Sequence, residues 1–194
     1  MLLPAQETGG NATAHIAPAT PIAPGPTTAD NWPRYLHLTF GPGAWLGSGF
    51  WSGVAQWRDY PSEWEQGASG YWKRYGHSHG RRMIRNTIDL GVATWRGEIT
   101  TYSRCRCSGF GPRLGHAVKS TFIRRTNDGG TTLALGHFAG SYGSGFAANL
   151  WMPASHNDFG DGLRRGTFSV SYEALRNVGR EFWPDIRRKV FRRK

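Results

Sequence analysis

The sequence predicts an all-α protein, either a Gly/Ala-rich helical bundle or a set of membrane-associated helical hairpins. Three observations carry this expectation. Residues 133–152 hold no Asp, Glu, Lys or Arg, and within them Gly136, Gly140, Ser144 and Ala148 recur every fourth residue, with Ala139, Gly143 and Ala147 as a second row. On a helix such rows form a smooth stripe on which another helix can lie closely. Residues 35–57 are a second charge-free window, with Gly43/Gly47 and Gly49/Gly53 each four apart. Elsewhere apolar residues recur at spacings near four, and no run of alternating strands appears.

Residues 1–31 are expected to be a disordered tail. They are rich in Pro, Ala and Thr and bury too little apolar surface to offset chain entropy. Asn11-Ala12-Thr13 is a glycosylation sequon only in a secretory setting. No complete signal peptide is recognisable; the start reads either as cytoplasmic or as the remnant of a cleaved leader at Leu2-Leu3-Pro4-Ala5.

A single helical domain is expected over 32–186. Pro42 suits the first turn of a helix, and Pro61 breaks the chain. Ser62 reads as an N-cap followed by Glu63 and Glu65, opening a helix through Trp64, Ala68, Tyr71, Trp72 and Tyr75. It resumes through Met83, Ile84, Ile88 and Val92, with Gly76 and Gly80 as kinks or interruptions. Residues 97–112 read as a loop, 113–125 as a short basic helix with Leu114, Val118 and Phe122 on one face, and Asn127-Asp128-Gly129-Gly130 as a turn. The charge-free window 133–152 follows as one helix ending at Pro153, and its expected partner is the window 35–57. A last helix carries Leu163, Gly166, Val170, Ala174 and Val178 to about Phe182; a short strand around Phe168–Tyr172 is the weaker reading. Pro184 restarts the chain, which ends in a basic tail over 187–194.

Net charge is +11 and the isoelectric point about 10.4, so anionic partners are favoured: nucleic acid or an anionic lipid surface. Nine Trp and 27 Gly suit either a membrane interface or a soluble core in which Trp fills the space opposite Gly. Both charge-free windows reach spanning length, yet His37, Gln56, His137, Asn149 and many Gly and Ser keep them weakly apolar.

Chemical motifs are sparse. Gly76-His77-Ser78-His79-Gly80 matches G-x-S-x-G, with His116, His137 and His156 as candidate bases, but the preceding residues have helical spacing and no parallel strands surround it. His77 and His79 form H-x-H without a completing ligand, and Gly109-Phe110-Gly111 does not extend to a dinucleotide fingerprint. Cys105 and Cys107 are read as incidental surface thiols, with metal or redox use as the alternative. Arg81, Arg82, Arg85, Arg113, Lys119, Arg124, Arg125, Arg164 and Arg165 could neutralise phosphates, although no nucleic-acid-binding signature accompanies them and a solvated surface is the default.

Several segments carry a resemblance. Gly111-Pro112-Arg113-Leu114-Gly115-His116-Ala117-Val118-Lys119-Ser120-Thr121-Phe122, Arg125-Thr126-Asn127-Asp128-Gly129-Gly130, Ala139-Gly140-Ser141-Tyr142-Gly143, Asn149-Leu150-Trp151-Met152-Pro153 and Glu181-Phe182-Trp183-Pro184-Asp185-Ile186-Arg187-Arg188-Lys189 resemble, in this order, a group of uncharacterised bacterial envelope-associated proteins. With the matching residues 66–76 and 86–91, the resemblance spans about 60–190. Those proteins typically carry a Glu-Asp-Pro-Arg-Tyr run, of which Glu98-Ile99-Thr100-Thr101-Tyr102 keeps only the first and last residues. His77, His79, Cys105 and Cys107 are not part of the group's pattern. The resemblance implies an envelope location and assigns no activity.

The expectation is therefore a non-enzymatic, membrane- or envelope-associated bacterial protein with no catalytic, cofactor or metal residues assigned. Gly136, Gly140, Gly143, Ser144 and Ala147 are its expected helix-packing positions, within the chain or in a homo-oligomer. Arg187, Arg188, Lys189, Arg192, Arg193 and Lys194 are its expected contacts with an anionic membrane surface or a partner. A soluble, cytoplasmic nucleic-acid binder is the alternative, and a serine hydrolase using Ser78 a distant third.

Overall fold

The computed structural model describes residues 26–191. Residues 1–25 of the expected tail, and Arg192, Arg193 and Lys194, lie outside the described residues. The described chain is an all-α bundle with one small hairpin. Its elements are α1 (Asn31–Phe40), α2 (Pro42–Trp57), α3 (Gly67–Arg96), α4 (Phe110–Phe122), β1 (Ile123–Arg125), β2 (Thr131–Leu133), α5 (Leu135–Ala147) and α6 (Phe159–Phe191).

The long helices α3 and α6 flank α5, which packs extensively on both; α2 and α1 lie on α3, and α4 lies on α6. The two charge-free windows are therefore not partners. Residues 35–57 break at Gly41, whose extended backbone separates α1 from α2. Residues 133–152 hold the end of β2, a 13-residue α5 and a 3-10 turn, Ala148–Leu150. Thirteen residues rise about 20 Å, well short of a hydrocarbon core of about 30 Å. No helix among the described residues is long and apolar enough to cross a membrane. The hairpin alternative fails for these reasons.

Other boundaries also moved. Thr28–Asp30, expected in the tail, form a 3-10 turn tied to Asn127, and the buried Asn31 donates to Glu98 O at 2.8 Å. Ser62–Trp64 form a 3-10 turn, and α3 starts only at Gly67, which has φ +88°. Gly76 and Gly80 do not interrupt α3, because a Gly inside a helix costs only about 1 kcal/mol relative to Ala and the helix packs on α1, α2 and α5. Gly97, in the left-handed region at φ +66°, ends it. Pro184 sits inside α6 without stopping it. Residues 123–125 leave the expected helix to pair antiparallel with 131–133, in the register Arg124 opposite Thr132, around the anticipated Asn127–Gly130 turn.

The interior is small and polar. Thr39, Ser48, Ser52, Arg74, Asn86, Glu98, Thr121, His137, Ser141 and Glu181 are buried, whereas Leu46, Phe50, Trp57, Trp95 and Leu150 are exposed. Three helix pairs are joined by buried hydrogen bonds: Asn86 to Thr39 between α3 and α1, Ser48 with His79 between α2 and α3, and Asn177 to Thr121 between α6 and α4. On α6, Asp161, Arg165, Ser169, Glu173, Asn177 and Glu181 recur every fourth residue, and all six are buried. On α4 the inward residues are Ala117 and Thr121, while Val118 and Phe122 of the expected apolar face are exposed. Buried polar groups must find partners, so this core specifies its neighbours by hydrogen bonding as well as by shape.

Small residues permit the close approach. A Cβ built on Gly140 would lie 2.4 Å from Arg85 O, and one on Gly136 2.8 Å from Asp89 O, so α5 rides on the α3 backbone. On the other side, a Cβ on Gly145 would lie 2.5 Å from Gly162 O of α6. Gly162 and Gly166 in turn accept Phe146 and Tyr142.

His137 gives the core a pH dependence. It is 2 % exposed, and burial, with the Arg85 charge, pushes its pKa down to about 4 from 6.5. The folded imidazole stays neutral while the unfolded one takes a proton below about 6.5. Stability should therefore fall by about 1.4 kcal/mol per pH unit from this group as pH drops from 6.5 toward 4, and level off below. Chemical denaturation of His137→Gln between pH 6.5 and 4.5 should show a pH slope shallower by that amount; equal slopes in both proteins would contradict it.

Candidate functional site: an arginine-lined cleft

Helix α3 presents Arg74, Ser78, Arg81, Arg82 and Arg85 at spacings of three and four, hence on one side. That side does not face water. It forms the floor of a cleft of about 610 Å³ between α2, α3 and α6. Helix α2 adds Trp51, Val54 and Arg58; α6 adds Arg164, Arg165, Phe168, Ser169, Tyr172 and Arg176. Among the described residues, eight arginines thus line one cavity, and no carboxylate does.

The eight arginines do different things. Arg74, 2 % exposed, is a structural hub: its guanidinium donates to Tyr60 O at 2.9 Å, Glu65 O at 2.6 Å, Pro61 O at 2.8 Å and Gln56 Oε1 at 2.7 Å, and so shapes the loop before α3. Arg165 closes the C-terminal end of α5, donating to Gly145 O, His156 O and Asn149 Oδ1. Arg164 pairs with Asp161 at 2.5 Å. Arg85 donates to Ser169 Oγ and Glu173 Oε2, both at 3.2 Å. Glu173 also meets Arg176 at 3.3 Å and Arg180 at 3.5 Å, so one carboxylate serves three cations.

Arg81 and Arg82 are the exceptions. Among the described residues neither has a carboxylate partner within 4 Å. Arg81 makes one hydrogen bond, to Arg165 O at 3.2 Å. The buried Nε groups of Arg81, Arg82, Arg85 and Arg176 have no acceptor among the described residues. Burial, with the Arg165 and Arg85 charges, pushes the Arg81 pKa down to about 10. Burial first, opposed by Glu173 and reinforced by Arg180 and Arg85, does the same to Arg176, and Arg82 is lowered by burial and Arg85. A guanidinium keeps its proton at neutral pH. The physical meaning of these shifts is therefore positive charge partly shielded from water and only partly compensated, which an anion would relieve. Arg176 also borders a second groove with Arg34, Arg104, Arg180 and Trp183, where burial, with Arg180 and Arg176, pushes Arg34 down to about 9.

The aromatic side of the cleft is fixed by edge contacts. Trp51 meets Phe168 at 6.0 Å and 90°, and Tyr172 at 5.8 Å and 84°. These contacts bridge α2 and α6.

The expected site residues fall as follows. Gly136 and Gly140 contact the α3 backbone; Gly143 meets only the tip of Ile88; Ser144 is buried and lines the cleft; Ala147 is half-buried at the end of α5. The small-residue face is filled within the chain by α3 and α6. Arg187, Arg188 and Lys189 are exposed on the last turns of α6, Arg188 pairing with Asp185 at 2.9 Å. Of the arginines read as phosphate-neutralising, Arg81, Arg82, Arg85, Arg164 and Arg165 come together in the cleft rather than dispersing over a solvated surface. Arg113 is spent on Glu181 and Asp185, and Arg124 on Asp89 and Glu98.

The G-x-S-x-G match lies within helix α3, not at a strand-to-helix turn, so Ser78 lacks the elbow geometry. His77 Nδ1 accepts from Trp151 Nε1 at 3.0 Å, and burial, with Arg81 and Arg165, pushes it to about 3. His79 faces Ser48 instead. Among the described residues no three His, Cys, Asp or Glu side chains gather as a metal-ligand set. Cys105 and Cys107 are joined as a disulfide rather than free thiols, their Cα atoms 5.2 Å apart, within bridging distance. Cys105 N donates to Glu181 Oε2 at 3.1 Å, and Tyr102 OH to the same oxygen at 2.8 Å, tying this loop to α6.

Arg176, Tyr172 and Trp51 were not anticipated. The signal was present: the polar rows on α3 and α6 have helical period, and only Lys73, Lys119, Lys189 and Lys194 are lysines among 24 basic residues. Such a bias toward Arg favours forked recognition of phosphate or carboxylate. No family model, curated protein or solved structure matches this chain.

Proposed function

We propose that this protein is a non-catalytic receptor for a multiply charged, phosphate-type anion held in the arginine-lined cleft. The observation that carries the reading is the pair Arg81 and Arg82, half-buried, without a carboxylate partner among the described residues, and with buried Nε donors aimed at no acceptor there. Guanidinium forks match phosphate oxygens two at a time, and a low-dielectric cleft strengthens that attraction. Several cations converge on one cavity, which suits a compact group carrying two or more charges. A bacterial envelope is our proposed setting, supported by the cationic surface of Arg187, Arg188 and Lys189 on the end of α6.

Thermal unfolding of the full chain with inorganic pyrophosphate tests this. A ligand at a hundred times its Kd stabilises by about 2.7 kcal/mol, or roughly 5–10 °C for a domain of this size. The wild type should show such a rise and Arg82→Gln should lose it. No rise in the wild type, or an equal rise in Arg82→Gln, would overturn the reading.

A further inference from the structure

The following rests on the anion-receptor reading and names the molecule that carries the anion. We propose that the phosphate belongs to a lipid. The cleft takes its charged end, while an apolar rim on α2 enters the membrane interface beside it.

Helix α2 has three faces. Ala44, Ser48 and Ser52 are buried. Trp51, Val54 and Arg58 line the cleft. Leu46, Phe50 and Trp57 occupy the third face and are 75 %, 65 % and 85 % exposed. At 100° per residue, Phe50 neighbours Val54, so this apolar face adjoins the cleft directly. Gly43 and Gly53 on the same side meet nothing. Across the cleft, α6 continues the rim with Phe168, which lines the cavity and is itself more than half exposed. Arg58 and Arg164 are exposed lining residues beside these aromatics.

Large apolar side chains outside and guanidinium groups inside invert the usual amphipathic order. A soluble phosphate would use the arginines and leave Leu46, Phe50 and Trp57 unexplained. A lipid uses both, since its phosphate lies within side-chain reach of its acyl chains and Trp and Phe favour that boundary. The cleft's arginines supply the charge complementarity to an anionic headgroup. A nucleic acid fits less well. Its binding sites combine an open basic track with aromatic faces free to stack on bases. Here the arginines converge on one cleft rather than following a track, and Trp51, which lines it, is covered edge-on by Phe168 and Tyr172.

The test is sedimentation of the full chain with vesicles of phosphatidylcholine, alone or containing phosphatidic acid, alongside the pyrophosphate melting assay. The wild type should bind phosphatidic acid vesicles roughly tenfold or more above neutral ones, with pyrophosphate competing. The triple variant Leu46→Ser/Phe50→Ser/Trp57→Ser changes only residues outside the cleft. It should keep the pyrophosphate-induced rise, which also shows that it is folded, and lose vesicle binding by roughly tenfold or more. Arg82→Gln should lose both. A pyrophosphate rise without vesicle binding, or vesicle binding indifferent to the triple variant, would overturn the lipid assignment and leave the anion receptor standing. Arg82-dependent binding of a single-stranded RNA, indifferent to the rim, would overturn it in favour of nucleic acid. No response to pyrophosphate and no vesicle binding would overturn both.

Discussion

Gly140→Ala should lower the melting temperature by roughly 6–12 °C, corresponding to a loss of about 3 kcal/mol or more. The added Cβ would lie 2.4 Å from Arg85 O and 3.3 Å from Asp89 N. Both neighbours are backbone atoms of α3, so relief requires the two helices to move apart along their whole contact. That separation would also disturb α6 on the opposite face, because Gly145 holds α5 against Gly162 O. The ordinary gain from Ala over Gly in a helix, roughly 0.5–1 kcal/mol, is too small to offset this. Gly76→Ala, where nothing lies within 4 Å, isolates that gain and should raise stability slightly. Differential scanning calorimetry of the two variants decides the matter; equal melting temperatures would remove the close-approach account. Gly143, another expected helix-packing position, is less restrictive than Gly140 and Gly145, because a Cβ there meets only Ile88 Cδ1, the end of a flexible side chain.

Two charge changes, one behind the cleft and one in it, should have opposite signs. Glu173→Gln removes the carboxylate shared by Arg85, Arg176 and Arg180 and leaves three close guanidinium groups with no counter-charge. Breaking a buried pair by removing one partner costs about 3–5 kcal/mol. Those three cations hold the Glu173 carboxyl far below the usual carboxylate range despite its burial. Its contribution is therefore present above about pH 4.5 and is lost only as pH falls through that much lower value. Arg82→Gln removes an unpaired cation beside Arg85 and should stabilise the ligand-free protein by about 1 kcal/mol while abolishing the response to pyrophosphate. Urea titration of both variants without ligand reads the signs. If Arg82→Gln is as destabilising as Glu173→Gln, Arg82 serves the fold and is not held for a ligand. Residues that lower stability in the empty protein and are needed for binding mark a site that the fold sustains at its own expense.

Much of the helical architecture was readable from local pattern. Pro42 at the first turn of α2, the Asn127–Gly130 turn and most of the loop expected over 97–112, which ends where α4 begins at Phe110, follow from backbone preferences that act over a few residues. The apolar faces were misread. Leu163, Met83, Val118 and Phe122 were assigned inward because helical apolar spacing usually marks the buried side, yet each is substantially exposed. In this chain the buried rows are polar, and a polar row with the same period carries equal information once a partner exists to satisfy it. The arginines show the same limit. Arg81, Arg82, Arg85, Arg164 and Arg165 were read as a solvated surface that could neutralise phosphates, but α3 and α6 are separated by more than 60 residues, and only their packing on α5 brings the two sets around one cavity.

By itself, then, the sequence determined that the chain is helical, that Pro42 opens a helix, that small residues allow close helix contact, and that the net charge is strongly positive. These are consequences of local dihedral preference and of total charge, both additive along the chain. Only the tertiary structure decided which helices meet, that the small-residue stripe of α5 is consumed by α3 and α6, and that serines and arginines point inward while Trp57 and Leu46 point out. The reason is physical: burial and charge compensation are properties of pairs of residues distant in sequence, and an arginine becomes a candidate ligand only when its neighbours in space fail to neutralise it.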